Sequence, residues 1–283
     1  MFDKQKTRAA FSKAALKYDE LAILQQQTGA QMLQRLQYIK HNPHLIMDIG
    51  AGTGIHTRAL NKQYPNAQVI ALDFALPMLK KIQKPFRLFN KIQCICADME
   101  ALPIKTNALD LIYSNAALQW SNHLEQTFKE WFRVLKPGGL LMFSTFGPST
   151  LFELKQAWQA VEEEQNIQSH VNTFTDLHEI GDLLLKAGFS QAVMDIEKTI
   201  LTYPTVKDLM YDLKGIGANN TQANRRKTLT GKQRLKKMSE YYERFRQDGV
   251  LPASYEIIYG HAWIPQKTTQ QYSPRVPVQS ILQ

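Results

Sequence analysis

The sequence predicts an α/β fold: a doubly wound, mostly parallel sheet with helices on both faces. Three observations carry that expectation. Short apolar runs alternate with segments of helical periodicity from residue 44 onward. The first run leads into a glycine-rich turn, and acidic residues close both the first and the second run.

Ahead of the alternation, Ala10, Phe11, Ala14, Ala15 and Tyr18, then Leu21, Leu24, Met32, Leu33 and Leu36, recur at helical spacing. They predict two amphipathic helices within residues 7–39, and Pro43 breaks the pattern. Strands are expected over 44–48, 68–72, 91–97, 109–114 and 140–145, with helices over 55–64, 76–82 and 122–135. Lys136-Pro137-Gly138-Gly139 reads as the turn that stops the last of these helices. Residues 151–164 and 176–187 are expected to be helical, with Gly188 as a C-terminal cap. Residues 191–201 and 255–263 complete the candidate strands.

The expected organisation follows from this order. Helices over 1–43 cover a site on a core of 44–204 and 250–264. A basic helical insertion over 205–249 overhangs the sheet edge as a lid or substrate-selecting cap. The tail over 265–283 is expected to be loose, with Pro274 and Pro277 among Gln, Thr and Ser.

Composition narrows the function classes. The chain has 283 residues, 44% of them hydrophobic, enough for one large domain with a sizeable insertion. No apolar run approaches the roughly 20 residues that span a bilayer. The charged start, Met1 to Arg8, leads into no apolar signal core, so neither a membrane nor secretion is expected. Cys94 and Cys96 fall on one face of an expected strand and read as core residues. No His/Cys cluster supplies metal ligands, so no metal is expected, and a reducing cytoplasm fits.

The net charge of +9 is concentrated in Arg225, Arg226, Lys227, Lys232, Arg234, Lys236, Lys237, Arg244 and Arg246. Such a run is a solvated helix face or a dock for an acidic protein. No aromatic-basic RNA motif or zinc module accompanies it, so nucleic acid is not expected.

The chemistry is concentrated in Asp48-Ile49-Gly50-Ala51-Gly52-Thr53-Gly54. A strand, a glycine turn and a helix bring backbone N–H groups close to a ligand. The pattern G-x-G-x-G lacks the last spacing of the dinucleotide fingerprint, and no P-loop G-K-[ST] is present. Asp48 would repel a pyrophosphate but suits an ammonium. Asp73, at the end of the second strand, can accept from ribose hydroxyls. The ligand expected is an adenosine that carries an amino acid instead of a phosphate chain.

These residues resemble the class I S-adenosylmethionine-dependent methyltransferases over about 44–146. The resemblance implies a Rossmann-like, mostly parallel seven-stranded sheet. It further implies that Asp48, Gly50, Ala51, Gly52 and Gly54 hold the methionine portion, Asp73 the ribose, Phe74 and Met78 the adenine faces, and Asp98 with Met99 the adenine edge. Asn115 and Gln119 are expected to border the cofactor, and Tyr18 to close over it.

Phe11…Tyr18-Asp19, Ser114-Asn115-Ala116-Ala117-Leu118-Gln119-Trp120, Thr150-Leu151-Phe152-Glu153-Leu154, Asp212 to Asn220 and Leu251 to Glu256 resemble the malonyl-acyl-carrier-protein O-methyltransferases of biotin biosynthesis. The resemblance extends over nearly the whole chain. It implies methyl transfer to the free carboxyl of a malonyl thioester on acyl carrier protein or coenzyme A. Tyr18, Gln119, Lys214, Tyr211 and His261 are the candidates for positioning substrate, and Arg225, Arg226 and Lys227 for docking an acidic carrier. A monomer is expected. The rival readings are a carboxyl methyltransferase for another small acid, a relative of the respiratory complex I assembly factors (arginine hydroxylase or scaffold), and a cofactor-binding protein without turnover.

Overall fold

Burial on both faces explains why the expected strands read as nearly continuous apolar runs. The computed structural model describes residues 1–82, 92–161, 170–222 and 231–266. Its strands are β1 (Leu45–Ile49), β2 (Gln68–Asp73), β3 (Ile92–Cys96), β4 (Leu109–Ser114), β5 (Leu135–Phe146), β6 (Ser190–Tyr203) and β7 (Leu251–Trp263). They form one seven-stranded sheet of order β3-β2-β1-β4-β5-β7-β6. β1 to β5 pair in parallel, whereas β7 runs antiparallel to both β5 and β6.

The helices are α1 (Lys4–Ala14), α2 (Tyr18–Leu21), α3 (Ile23–Gln37), α4 (Ile55–Gln63), α5 (Leu76–Leu79), α6 (Leu124–Val134), α7 (Phe152–Gln159), α8 (Leu177–Ala187), α9 (Val206–Gly215) and α10 (Lys232–Tyr242). Alternation along the strands divides the core in two. Ile46, Leu111, Tyr113 and Leu140 pack with Met32, Leu60, Trp158 and Tyr242 on one face. Met47, Ile49, Ile112 and Phe143 pack with Phe128, Trp131, Ile180 and Leu184 on the other. Neighbours on both sides of β1 start their crossovers in opposite directions, which opens a crevice beyond the C-terminal ends of β1 and β4.

Several expectations need adjustment. Three helices, not two, precede the sheet, because the chain bends at Ala15–Lys17 and again at Ala22 to wrap round the glycine loop. Lys136–Gly139 is not a simple turn: it bulges within β5, between the pairs Leu109↔Leu135 and Leu111↔Leu140, and Lys136 pairs with Asp110 at 2.7 Å. Cys94 is only half-buried and Cys96 is exposed, because β3 is the outermost strand. β7 begins four residues earlier than its apolar pattern indicated. Gly188 does cap α8, at φ +102°, and Asp176 caps its other end by accepting from the Glu179 N–H. No described helix is long and apolar enough to cross a membrane. The tail beyond residue 266 lies outside the described residues.

Candidate active site

Gly50, Gly52 and Gly54 all hold positive φ, at +74°, +54° and +82°, so the loop after β1 curls back on the strand ends. A side chain would not fit: a Cβ at Gly50 would lie 2.3 Å from the Ala117 Cβ. The Gly52 N–H donates to Asp73 Oδ2 at 2.9 Å, and the Ala75 N–H to Oδ1 at 2.8 Å, fastening the loop to the end of β2.

Beside this loop lies a cleft of about 710 Å3. Gly50, Gly52, Asp73, Phe74, Met78, Asp98, Met99 and Asn115 line it, and so does Tyr18 from α2. Asp48, Ala51 and Thr53 line a smaller recess that shares Tyr18, Gly50, Gly52 and Asn115 with the cleft. Gly54 instead caps the start of α4.

Two buried carboxyls set the electrostatics. Asp48 is 2% exposed and accepts from Thr57 Oγ1 at 2.5 Å. Burial pushes its carboxyl up to about 7 against that hydrogen bond, and nearby Asp73 adds to the rise. Burial likewise raises Asp73 to about 6, opposed by the Ala75 and Gly52 N–H groups. Both sites gain from a cation or hydroxyl donors nearby, the chemistry offered by an ammonium and a ribose. Asn115 is spent on structure: its Nδ2 donates to the Gln25 carbonyl and its Oδ1 accepts from Ser144 Oγ, both at 2.8 Å.

The roof comes from the first helices. Phe11 meets Trp120 edge-on, with centroids 5.1 Å apart, and Phe74 at 6.2 Å. The Thr53 hydroxyl donates to Asp19 of α2. Gly215 at the end of α9 allows close approach to Leu21, and Gly217 to Phe11, so α9 braces the same roof.

A second cleft of about 730 Å3 shares Phe11, Tyr18, Ala116 and Trp120 with the first. Gln119 belongs here and not to the first cleft; its Nε2 donates to the Ala116 carbonyl at 2.7 Å, and its Oε1 accepts from Thr145. Leu213 of α9 and Ile216, which caps its C-terminal end, face this cleft, but Tyr211 and Lys214 do not. Tyr211 is 58% exposed and Lys214 is also exposed, because each lies on the helix face turned to solvent. His261 lies near the C-terminal end of β7, opposite Met142 and Val193; because β7 runs antiparallel to β5, that end points away from the strand ends that carry the clefts. Burial and the Arg35 guanidinium hold its imidazole below the usual range. Arg225, Arg226 and Lys227 lie outside the described residues.

Sequence reasoning missed Lys4, Thr7, His170 and Asn172, all of which line the clefts. Lys4 had no local signal, since its partners Asp98 and Glu100 are remote in the chain.

The fold and this site define a class I S-adenosylmethionine-dependent methyltransferase, with S-adenosylmethionine as the methyl donor. A family model described as a methyltransferase domain matches residues 47–143. The chain is 49% identical over 271 residues to the malonyl-acyl-carrier-protein O-methyltransferase of Gallionella capsiferriformans (strain ES-2), covering 94% of this chain and 92% of that protein. It is 45% identical over 286 residues to the protein of that name from Methylovorus sp. (strain MP688), covering 99% and 95%. The chain belongs to the malonyl-acyl-carrier-protein O-methyltransferase family. The crystal structure of the YcgJ protein from Bacillus subtilis shares the fold, with a TM-score of 0.56 at 16% identity, over 84% of this chain and 99% of that one.

Proposed function

We propose that the chain methylates the free carboxyl of a malonyl thioester carried by acyl carrier protein, giving the methyl ester that primes pimeloyl synthesis for biotin. The observation that carries this reading is the shared wall of Phe11, Tyr18, Ala116 and Trp120 between the cofactor cleft and a second, mostly apolar cleft. Bound in the first cleft, S-adenosylmethionine supplies an electrophilic methyl on its sulfonium. The residues that would hold it are those around Asp48, Asp73 and Asp98; the two buried acids Asp48 and Asp73, the half-buried Asp98 and the glycine loop fit a cationic, phosphate-free adenosine.

The rest of the chemistry needs little from the protein. A carboxylate is already an anion at neutral pH, so no general base is required. Charge disappears as an anion and a sulfonium react, so the apolar walls help by excluding water. Alignment supplies roughly 7–11 kcal/mol in favourable cases. Tyr18 and Gln119 keep their proposed positioning roles. Tyr211, Lys214 and His261 do not, since they face neither cleft. The described lining of the second cleft includes no lysine, arginine, aspartate or glutamate. His170, stacked on Trp158 at 3.9 Å, is the described lining residue able to carry positive charge beside the substrate carboxylate.

Arg225, Arg226 and Lys227 remain the proposed dock for the acidic carrier, with steering that weakens in salt. A cytoplasmic monomer is the setting this reading assumes. Mass spectrometry of malonyl-carrier incubated with S-adenosylmethionine tests the reaction, with free small acids as competing acceptors. Absence of a methyl ester from folded, cofactor-binding protein overturns it.

A further inference from the structure

Asn172 is 9% exposed, lines the second cleft, and its Oδ1 has no hydrogen-bond partner among the described residues. A buried carbonyl oxygen without a donor is costly and rare. It calls for an N–H or O–H brought by a ligand. The surroundings restrict that ligand. Phe146, Leu154, Phe174 and Leu213 make the walls apolar, and the described lining carries no acid, lysine or arginine. A slender chain with a neutral N–H fits, whereas a small carboxylate has no proton to give at neutral pH.

This inference rests on the malonyl thioester reading and extends it. The pantetheine arm of such a thioester carries amide N–H groups beyond the sulfur. We propose that Asn172 accepts a hydrogen bond from an arm amide, so that the enzyme recognises the carrier arm as well as the acid. His170, two residues earlier and held flat on Trp158, fixes the segment that presents Asn172 to the cleft. Asn172 is then a specificity-determining residue that separates carrier-type thioesters from free acids.

The test compares kcat/KM on malonyl-pantetheine with that on the S-ethyl thioester of malonic acid, which has the same acid and sulfur but no amide. The wild type should prefer the amide-bearing substrate by about tenfold, the effect of one buried hydrogen bond. Asn172→Leu should abolish that preference, read as the ratio of kcat/KM on the two thioesters, while its Kd for S-adenosylmethionine stays within about twofold of wild type. Asn172→Ala, which adds no bulk, gives the same ratio if the leucine variant folds poorly. Equal losses on both substrates, or a wild type without preference, overturn the inference alone. A wild type that methylates neither thioester overturns the proposed reaction and the inference together.

Discussion

The side chains of Lys4 and Asp98 meet at 2.5 Å, joining α1 to the loop that follows β3. Lys4 also reaches Glu100 at 2.6 Å. Partial burial opposes its charge, but the hydrogen bonds it donates to both carboxylates outweigh this and raise its pKa. The pair therefore straps the roof across the expected adenine end of the cleft.

Removing the strap should loosen the cofactor more than the fold. Lys4→Met is expected to weaken S-adenosylmethionine binding by roughly two- to fivefold, the range for a partly exposed pair. Stopped-flow dissociation should show the change in the off-rate. Added salt should speed release from the wild type and have less effect on the variant. An unchanged off-rate refutes the strap.

Asp48 and Asp73 make cofactor binding depend on pH. Their folded values, about 7 and about 6, lie above the ordinary 3.8. The empty folded protein thus binds more protons than the unfolded chain, and it loses stability as pH rises from about 4 to about 7. A cation at Asp48 favours the ionised form, so binding expels a proton. Affinity for S-adenosylmethionine should climb by up to about tenfold per unit between about pH 5.5 and 7, then level off. Calorimetry in buffers of different ionisation heat measures the proton released. Asp48→Asn should flatten the profile, and a persisting slope would falsify the assignment to Asp48.

Gly50→Ala should damage the site through both backbone and space. The left-handed conformation costs a residue with a Cβ about 1–2 kcal/mol. The new methyl would also sit 2.3 Å from the Ala117 Cβ. Gly249 has φ +79° with nothing within 4 Å of its would-be Cβ, so Gly249→Ala isolates the strain. The expected outcome is a clearly larger fall in Tm for Gly50→Ala, with cofactor affinity lost only there.

Glu153 is 1% exposed and accepts from Ser254 Oγ at 2.5 Å and the Ser254 N–H at 3.1 Å. Glu153→Ala leaves those donors unmet at a cost of about 2 kcal/mol. Thermal melting should show Tm lower by roughly 4–8 °C. Glu153→Gln, which keeps one acceptor, should recover part of the loss.

Much of the fold was legible because its signals are local. A strand buried on both faces must be apolar throughout, and a loop that curls at three positive-φ positions must be rich in glycine. Asp48, Asp73 and Asp98 end or follow consecutive strands, so parallel pairing brings them to one edge of the sheet. The substrate side was not legible in the same way. The Leu213 to Asn220 motif does border the second cleft, yet Leu213 faces in and Lys214 faces out. One residue turns a helical side chain by about a third of a circle, which spacing alone does not orient.

Taken alone, the sequence determined the sheet, the glycine loop and the acids that suit S-adenosylmethionine, since each follows from periodicity or backbone sterics within a few residues. The tertiary structure decided what closes over that loop and what the second cleft presents. Glu153 and Ser254 lie a hundred residues apart in the sequence and pair only when α7 packs on β7. Lys4 reaches Asp98 only when α1 lies across the strand ends. Contacts between remote segments depend on how helix faces are oriented in space, and packing against the sheet sets that orientation.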